Sequence, residues 1–262
     1  MRSYTLSVLF SLFFSFLPAS AEQSRPILTV WVHGTTSAAR RYHIDFITKA
    51  LSCPPGLYPA QKLHKSYGIR KIVNIVSSTD PKNFPFQDFY IFGWSGLLCF
   101  DARKQAAQDL YGGLEKLVKE YKQNYGLTPI IKIITHSHGG NVALNLAKIN
   151  KHLGSKAHTE FKIDELILLA CPVQTATKKY TQDHFFQSVY SFYSYGDFIQ
   201  VADMQGLYKN KSQDLFSGRV FSKNPKVKQK HVTLYGRPIM HIEYLLSPFL
   251  TRLPGMLTEM KA

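Results

Sequence analysis

A mostly parallel central sheet with helices on both faces, an α/β fold, is what the sequence predicts, on three observations. Short runs rich in Ile, Val, Leu and aromatic residues alternate with longer segments of helical period. Each run is apolar almost throughout, as strands buried on both faces must be, instead of alternating between core and solvent. The 262-residue chain also shows no internal repeat, no low-complexity tract and no linker. The ~240 residues after its N-terminal segment therefore suit one domain with a substantial core.

The first 21 residues stand outside that domain. Arg2 supplies a short positive start, Leu6 to Leu17 an apolar run, and Ala19-Ser20-Ala21 a small-x-small cleavage site, the composition of a signal peptide. A spanning helix needs ~20 apolar residues, more than this run offers before the polar Glu22-Gln23-Ser24. No cysteine follows the run until Cys53, which argues against a lipid-anchored precursor. Residues 1–21 are therefore expected to direct export to the periplasm or the medium, leaving a mature domain at 22–262.

In that domain Ile27 to Val32 is a short β-rich run ending at His33-Gly34-Thr35-Thr36-Ser37. Residues 38–51 have helical character until Cys53-Pro54-Pro55-Gly56 breaks it. Between 57 and 86 the pattern is weak, and Ile69 to Val76 fits either a strand or a helix. Asp88 to Trp94 reads as a buried strand stopping at Ser95-Gly96. Ala106, Leu110, Leu114, Leu117 and Tyr121 then repeat at helical spacing and predict a long helix from about Ala102 to Tyr125. A strand from Pro129 runs to Ser137, and a helix to about Lys151 carries Val142, Leu144, Leu146, Ala147 and Ile149. Further strands are expected at Ile163 to Ala170 and Gln187 to Tyr195. Residues 204–230 read as polar and irregular, His231 to Tyr235 as a last short strand, and a helical tail begins near His241.

Chemistry is signalled at Thr135-His136-Ser137-His138-Gly139-Gly140, where an apolar strand runs directly into a serine. The pattern is close to G-x-S-x-G, the sharp strand–serine–helix turn called the nucleophile elbow. Residues two places from such a serine must be small, because the helix start packs against the strand. Gly139 meets that need and Thr135 meets it in part. A second signature is His33-Gly34-Thr35 at the end of the first strand, where Gly34 permits a close backbone turn.

These signatures, in this order, resemble the α/β-hydrolase fold, specifically its lipase and esterase members, from Ile27 to the C-terminus. The resemblance implies that Ser137 is a nucleophile, activated by a base because a hydroxyl is weak at neutral pH. The backbone N–H of His138 would be one oxyanion donor and that of Thr35 the second. Family chain order puts the acid next and the histidine last. Asp197, after the strand ending Tyr193-Ser194-Tyr195-Gly196, stands where the family places its acid. Asp203 is its competitor, with Asp183 and Asp164 weaker. His152, His158, His184, His231 and His241 all lie downstream of the serine, but only His231 and His241 follow Asp197. His231 opens the expected last strand, and His241 sits in the loop beyond it, the family position for the base.

Two other patterns compete. Gly93-Trp94-Ser95-Gly96 also ends a strand in a serine, but Leu97 occupies the place that must be small. Thr135-His136-Ser137-His138 shares T-H-x-H with a zinc motif that continues x-D-H. Here Gly139-Gly140-Asn141 stand instead, short of the three or four ligands zinc takes.

A formal charge of +15 favours anionic partners such as a phospholipid surface. Lysines concentrate locally at Lys223, Lys226, Lys228 and Lys230, read as a solvated loop. No nucleic-acid motif of recognised spacing is present, so no nucleic-acid partner is expected. The aromatic cluster Phe185-Phe186, Tyr190, Phe192, Tyr193 and Tyr195 is the composition of a core. Cys53, Cys99 and Cys171 are too few for a disulfide framework, though one pair could form, and Cys171 closes an apolar run as a buried residue. The resemblance thus implies an exported serine hydrolase of acyl esters, lipid or otherwise, needing no metal or organic cofactor. A non-catalytic lipid- or partner-binding protein with the same fold is the alternative.

Overall fold

In a computed structural model of the protein, a seven-stranded sheet has the order β2-β3-β1-β4-β5-β6-β7. The structure describes residues 24–36, 45–153, 160–202 and 214–262. The expected signal segment, His158 and Asp203 lie outside them. The strands are β1 (Ile27–Val32), β2 (Gly56–Pro59), β3 (Phe89–Gly93), β4 (Ile130–His136), β5 (Ile163–Leu169), β6 (Phe186–Tyr193) and β7 (Val227–His231). All pairings are parallel except that of β2 with β3. β1 lies between β3 and β4, so the chain leaves it in opposite directions on its two sides. A crevice opens at the carboxyl ends of strands at such a point, and ligands of open α/β sheets bind there.

Period-2 alternation divides the core. Val30 and Val32 of β1 and Ile131 and Ile133 of β4 pack with α3 (Phe100–Tyr125) and α4 (Gly139–Leu153) on one face. Trp31 and Ile134 point the other way, to α2 (Gly68–Thr79) and to the C-terminal helices α5 (Ser247–Leu250) and α6 (Leu253–Lys261). The short α1 (Asp45–Leu51) precedes β2. Helix α3 begins where Cys99 accepts from the Ala102 N–H at 3.4 Å and ends at Gly126, φ 69°, the left-handed residue that commonly stops a helix.

Ile69 to Val76, open to two readings, is helical. Ile69, Ile72, Val73 and Val76 are its buried apolar residues, the i, i+3, i+4, i+7 stripe of an amphipathic helix. Two expectations fail near the C-terminus. Lys228 and Lys230 are not in a solvated loop, since Val227–His231 form the edge strand β7, while Lys226 stands in the turn just before it. The chain is held there by β6 and by Gln229, which accepts from the Phe221 N–H at 2.8 Å and donates to its carbonyl at 2.9 Å. His231 is thus the last residue of β7, not the first of a new strand. Thr233–Leu234 (β8) instead pairs with Arg237–Pro238 (β9), joined by Tyr235 and Gly236 at φ 52° and 77°, the two positive angles of a type I′ turn. Among the described residues no two cysteines are joined by a disulfide. Among the described residues no helix is long and apolar enough to cross a membrane.

Candidate active site

β4 delivers Ser137 to the crevice in a strained conformation. Its φ is 54°, a region that non-glycine residues occupy at a cost and that clusters at functional sites. Its N–H still donates to Leu169 O at 2.9 Å, continuing the β5 ladder, while Gly140 N–H donates to Ser137 O at 3.0 Å and starts α4. The strand and the helix are thus consecutive, with one residue at the bend. A side chain at Gly139 would place Cβ 2.6 Å from the carbonyl oxygens of Val32 and His33, so only glycine fits. Thr135 fits better than its size suggests. It is fully buried, and its hydroxyl donates to Ile167 O at 3.3 Å.

The loop after β1 lies against this turn. Trp94 at the end of β3 fixes it twice, its backbone N–H donating to His33 Nε2 at 3.1 Å and its indole N–H to His33 O at 2.8 Å. Because Nε2 accepts, the proton of the neutral ring is on Nδ1, which donates to Gly34 O at 2.7 Å. A trans peptide points its C=O and N–H in opposite directions. Holding the Gly34 carbonyl against the His33 ring therefore turns the Thr35 N–H away from it. The Thr35 hydroxyl is buried and has no hydrogen-bond partner. Thr36 N–H closes the loop onto Gly96 O at 3.1 Å. Gly93-Trp94-Ser95-Gly96 is accordingly a buttress for the β1 loop.

Asp197 and His241 meet at the same end of the sheet. Asp197 follows β6 and is fully buried; its Oδ1 accepts from Gln200 N–H at 3.0 Å and its Oδ2 lies 2.8 Å from His241 Nδ1. Arg219 donates to the Asp197 backbone carbonyl at 3.1 Å. His241 opens the 3₁₀ turn His241–Leu245 just after β9. Glu243 steadies that turn, accepting from Met240 N–H at 2.7 Å and from both Arg237 terminal nitrogens at 2.9 and 2.6 Å. These bonds, Arg237 first, hold the Glu243 carboxyl below its ordinary pKa.

The other acids and histidines go elsewhere. Asp183, just before β6, pairs with Lys151 at 2.8 Å and accepts from Phe185 N–H. Asp164 accepts from Ile131 N–H at 2.8 Å. Both stand at the amino ends of strands, away from Ser137. His231 packs against Tyr195 and Tyr193, with ring centroids 4.6 and 5.6 Å away. His136 and His138 face opposite sides of the turn and do not converge. His138 Nδ1 lies 3.2 Å from Arg103 Nη1 and 3.4 Å from Asn141 Nδ2. Among the described residues no group of three His, Cys, Asp or Glu side chains is disposed to hold a metal ion. A cavity of about 520 Å³ lined by Arg25, Tyr111, Asp164 and His184 lies at the amino ends of the strands, the wrong end for this chemistry.

Three side chains of the site escape a sequence reading. Arg103 is 1% exposed; a charge in register with the apolar Ala106, Ala107 and Leu110 of α3 is the signal that points to it. Trp94 carries no such signal. His136 was read only as part of the serine motif, yet it is the link between strand and base loop. Its ring lies 4.7 Å from the His241 ring, and its Nε2 lies 3.0 Å from His241 O. Burial, with His241 and His33 nearby, holds its pKa well below the ordinary value. No hydrogen bond joins Ser137 Oγ to His241 among the described residues.

The strand order, the strained serine between β4 and α4, and the Asp–His pair beyond β6 and β9 together decide the architecture. This is the α/β-hydrolase fold. Neither a family sequence model nor a curated protein sequence matches the chain. Among solved structures, the chain is similar to an esterase/lipase from an uncultured bacterium, with a TM-score of 0.50 at 9% identity over 90% of this chain and 78% of that one. It is also similar to an esterase from Pyrobaculum calidifontis, with a TM-score of 0.48 at 12% identity over 91% and 78%. At 9% identity the first of these speaks for the fold alone; activity has to be argued from the site.

Proposed function

We propose that the protein is a serine hydrolase of carboxylic esters, acting on lipid or other acyl esters through an acyl-enzyme. The observation that carries this reading is the buried Asp197 carboxylate 2.8 Å from His241 Nδ1, at the same end of the sheet as the strained Ser137. A carboxylate only accepts, so Nδ1 carries the proton and Nε2 keeps its lone pair. That nitrogen takes the Ser137 proton as Oγ attacks the ester carbonyl, then returns it to the departing alkoxide. The N–H groups of Thr35 and His138 hold the oxyanion, aided by the amino end of α4. Water then repeats the cycle on the acyl-enzyme, releasing the acid and restoring Ser137.

The rim of the site favours apolar substrates. Phe198 and Ile199 follow Asp197 and are 72% and 62% exposed. Met240 and Ile242 flank His241, and Leu97 and Leu98 stand beside the β1 loop, all exposed. Large apolar side chains gathered at one end mark a surface that meets lipid or a long acyl chain, and a charge of +15 suits an anionic lipid surface. Residues 1–21, by their composition, would export the enzyme to such substrates.

Labelling with a fluorophosphonate tests the reading. The probe is expected to modify Ser137 in the native protein and to leave a folded Ser137→Ala variant untouched. A lipid- or partner-binding protein retaining the fold would not react in either form.

A further inference from the structure

We infer that His136 is a positioning residue for the base, tethering the main chain of His241 to the strand that carries the nucleophile. This rests on the reading of Ser137, Asp197 and His241 as a catalytic set. A carbonyl oxygen can only accept, so the 3.0 Å contact between His136 Nε2 and His241 O requires the proton on Nε2. The side chain giving this bond belongs to the residue immediately before Ser137, and the carbonyl receiving it belongs to the base itself. Any displacement of the end of β4 is thereby passed to the base.

His241 then has two anchors from different parts of the fold. Asp197, beyond β6, grips its ring at Nδ1, and His136, on β4, grips its peptide. The His136 ring also lies 4.7 Å from the His241 ring, tilted 51°, which limits rotation of the base about its own side-chain bonds. Neither anchor engages the Nε2 that has to reach Ser137. His136 also has to be neutral: protonation would keep the Nε2–H donor but set a second cation against the imidazolium that forms on His241 during attack. Ionisable groups facing it are His241 from the 3₁₀ turn and His33 from the β1 loop. Burial keeps it neutral without a carboxylate partner.

The test uses three variants of the full-length protein and a soluble nitrophenyl ester. His136→Phe keeps a ring and removes the donor; His136→Gln restores an amide donor of similar reach; His136→Asn carries one too short. Expected for Phe is a loss of kcat of roughly 10- to 100-fold with KM little changed, as a small misplacement of catalytic groups produces. Gln is expected to recover most of it. The low-field proton resonance of the His241 Nδ1–H should be sharp in native and Gln proteins and broadened in Phe. If Phe fails to fold, Gln active and Asn impaired at equal thermal stability supports the tether, and equal activity of the two overturns it. A folded Phe variant with native kcat and native resonance overturns it as well. Failure of the native protein to label at Ser137 would instead remove the triad reading, so the two failures are distinguishable.

Discussion

Gly34 and Ser137 touch so closely that a Cβ added to the glycine would stand 2.8 Å from the serine Cβ. Real Cβ atoms do not approach that near, so the loop after β1 can rest on the nucleophile turn only without a side chain there. Gly34→Ala is expected to push the Thr35 N–H away from Ser137 and lower kcat by about 10²-fold, the scale of a 1 Å misplacement. The fold should survive, with a cost of about 1–3 kcal/mol from overpacking. Steady-state kinetics and urea unfolding measure the two effects, and native kcat would show that the loop does not hold the oxyanion.

The pairing of Asp197 with His241 separates the histidines and acids by function. His241→Ala and Asp197→Asn are each expected to reduce kcat by about 10⁴-fold or more. His231→Ala, which removes a ring packed on Tyr195, should leave kcat within a few-fold of native. Asp203→Asn should be mild too, since Asp197 already supplies the carboxylate. A dead His231 or Asp203 variant beside an active Asp197 variant would reassign the roles.

His136 makes stability depend on pH. Unfolded, it binds a proton below about pH 6.5; folded, burial and its histidine neighbours keep it neutral. The unfolded state therefore holds more protons as pH falls, and stability declines. The contribution is complete above about pH 6.5 and is lost toward the lower folded pKa, with a slope of at most about 1.4 kcal/mol per pH unit. Urea midpoints at pH 7.5, 6.5 and 5.5 should converge between native protein and His136→Gln as pH falls. A constant difference across that range would contradict it.

The exposed apolar rim predicts a division between soluble and interfacial substrate. Phe198→Asp combined with Ile199→Asp should weaken cosedimentation with anionic vesicles at least tenfold. Hydrolysis of a dissolved nitrophenyl ester should change little. Salt should weaken the native interaction, because exposed charges are screened over ~10 Å at 0.1 M. Equal loss on both substrates would place these side chains within the reaction site instead.

Steric necessity made part of the site legible. Gly139 is demanded by main-chain carbonyls and Gly34 by the Ser137 Cβ, and such demands are written in residue identity. The choice of Asp197 and His241 came from chain order in a resembling family; their side chains lie 2.8 Å apart. Residues 69–76 stayed open because β-branched residues favour strands locally, while their spacing favoured a helix. β7 was missed because it is polar: its inward Gln229 binds main chain at Phe221, a long-range bond with no local period. Trp94 acts on His33 from 61 positions away in the chain, and nothing near either residue announces it.

Strand β7 has one more effect, at the border of the sheet. Among the described residues no strand pairs with its outer side, which a strand from another molecule could extend. Lys230 reaches Glu259 and Lys228 reaches the carbonyl of Lys261, so both ammonium groups are fastened along that margin instead of drifting in solvent. Charged side chains along an edge strand are one means by which a sheet avoids continuing into another molecule.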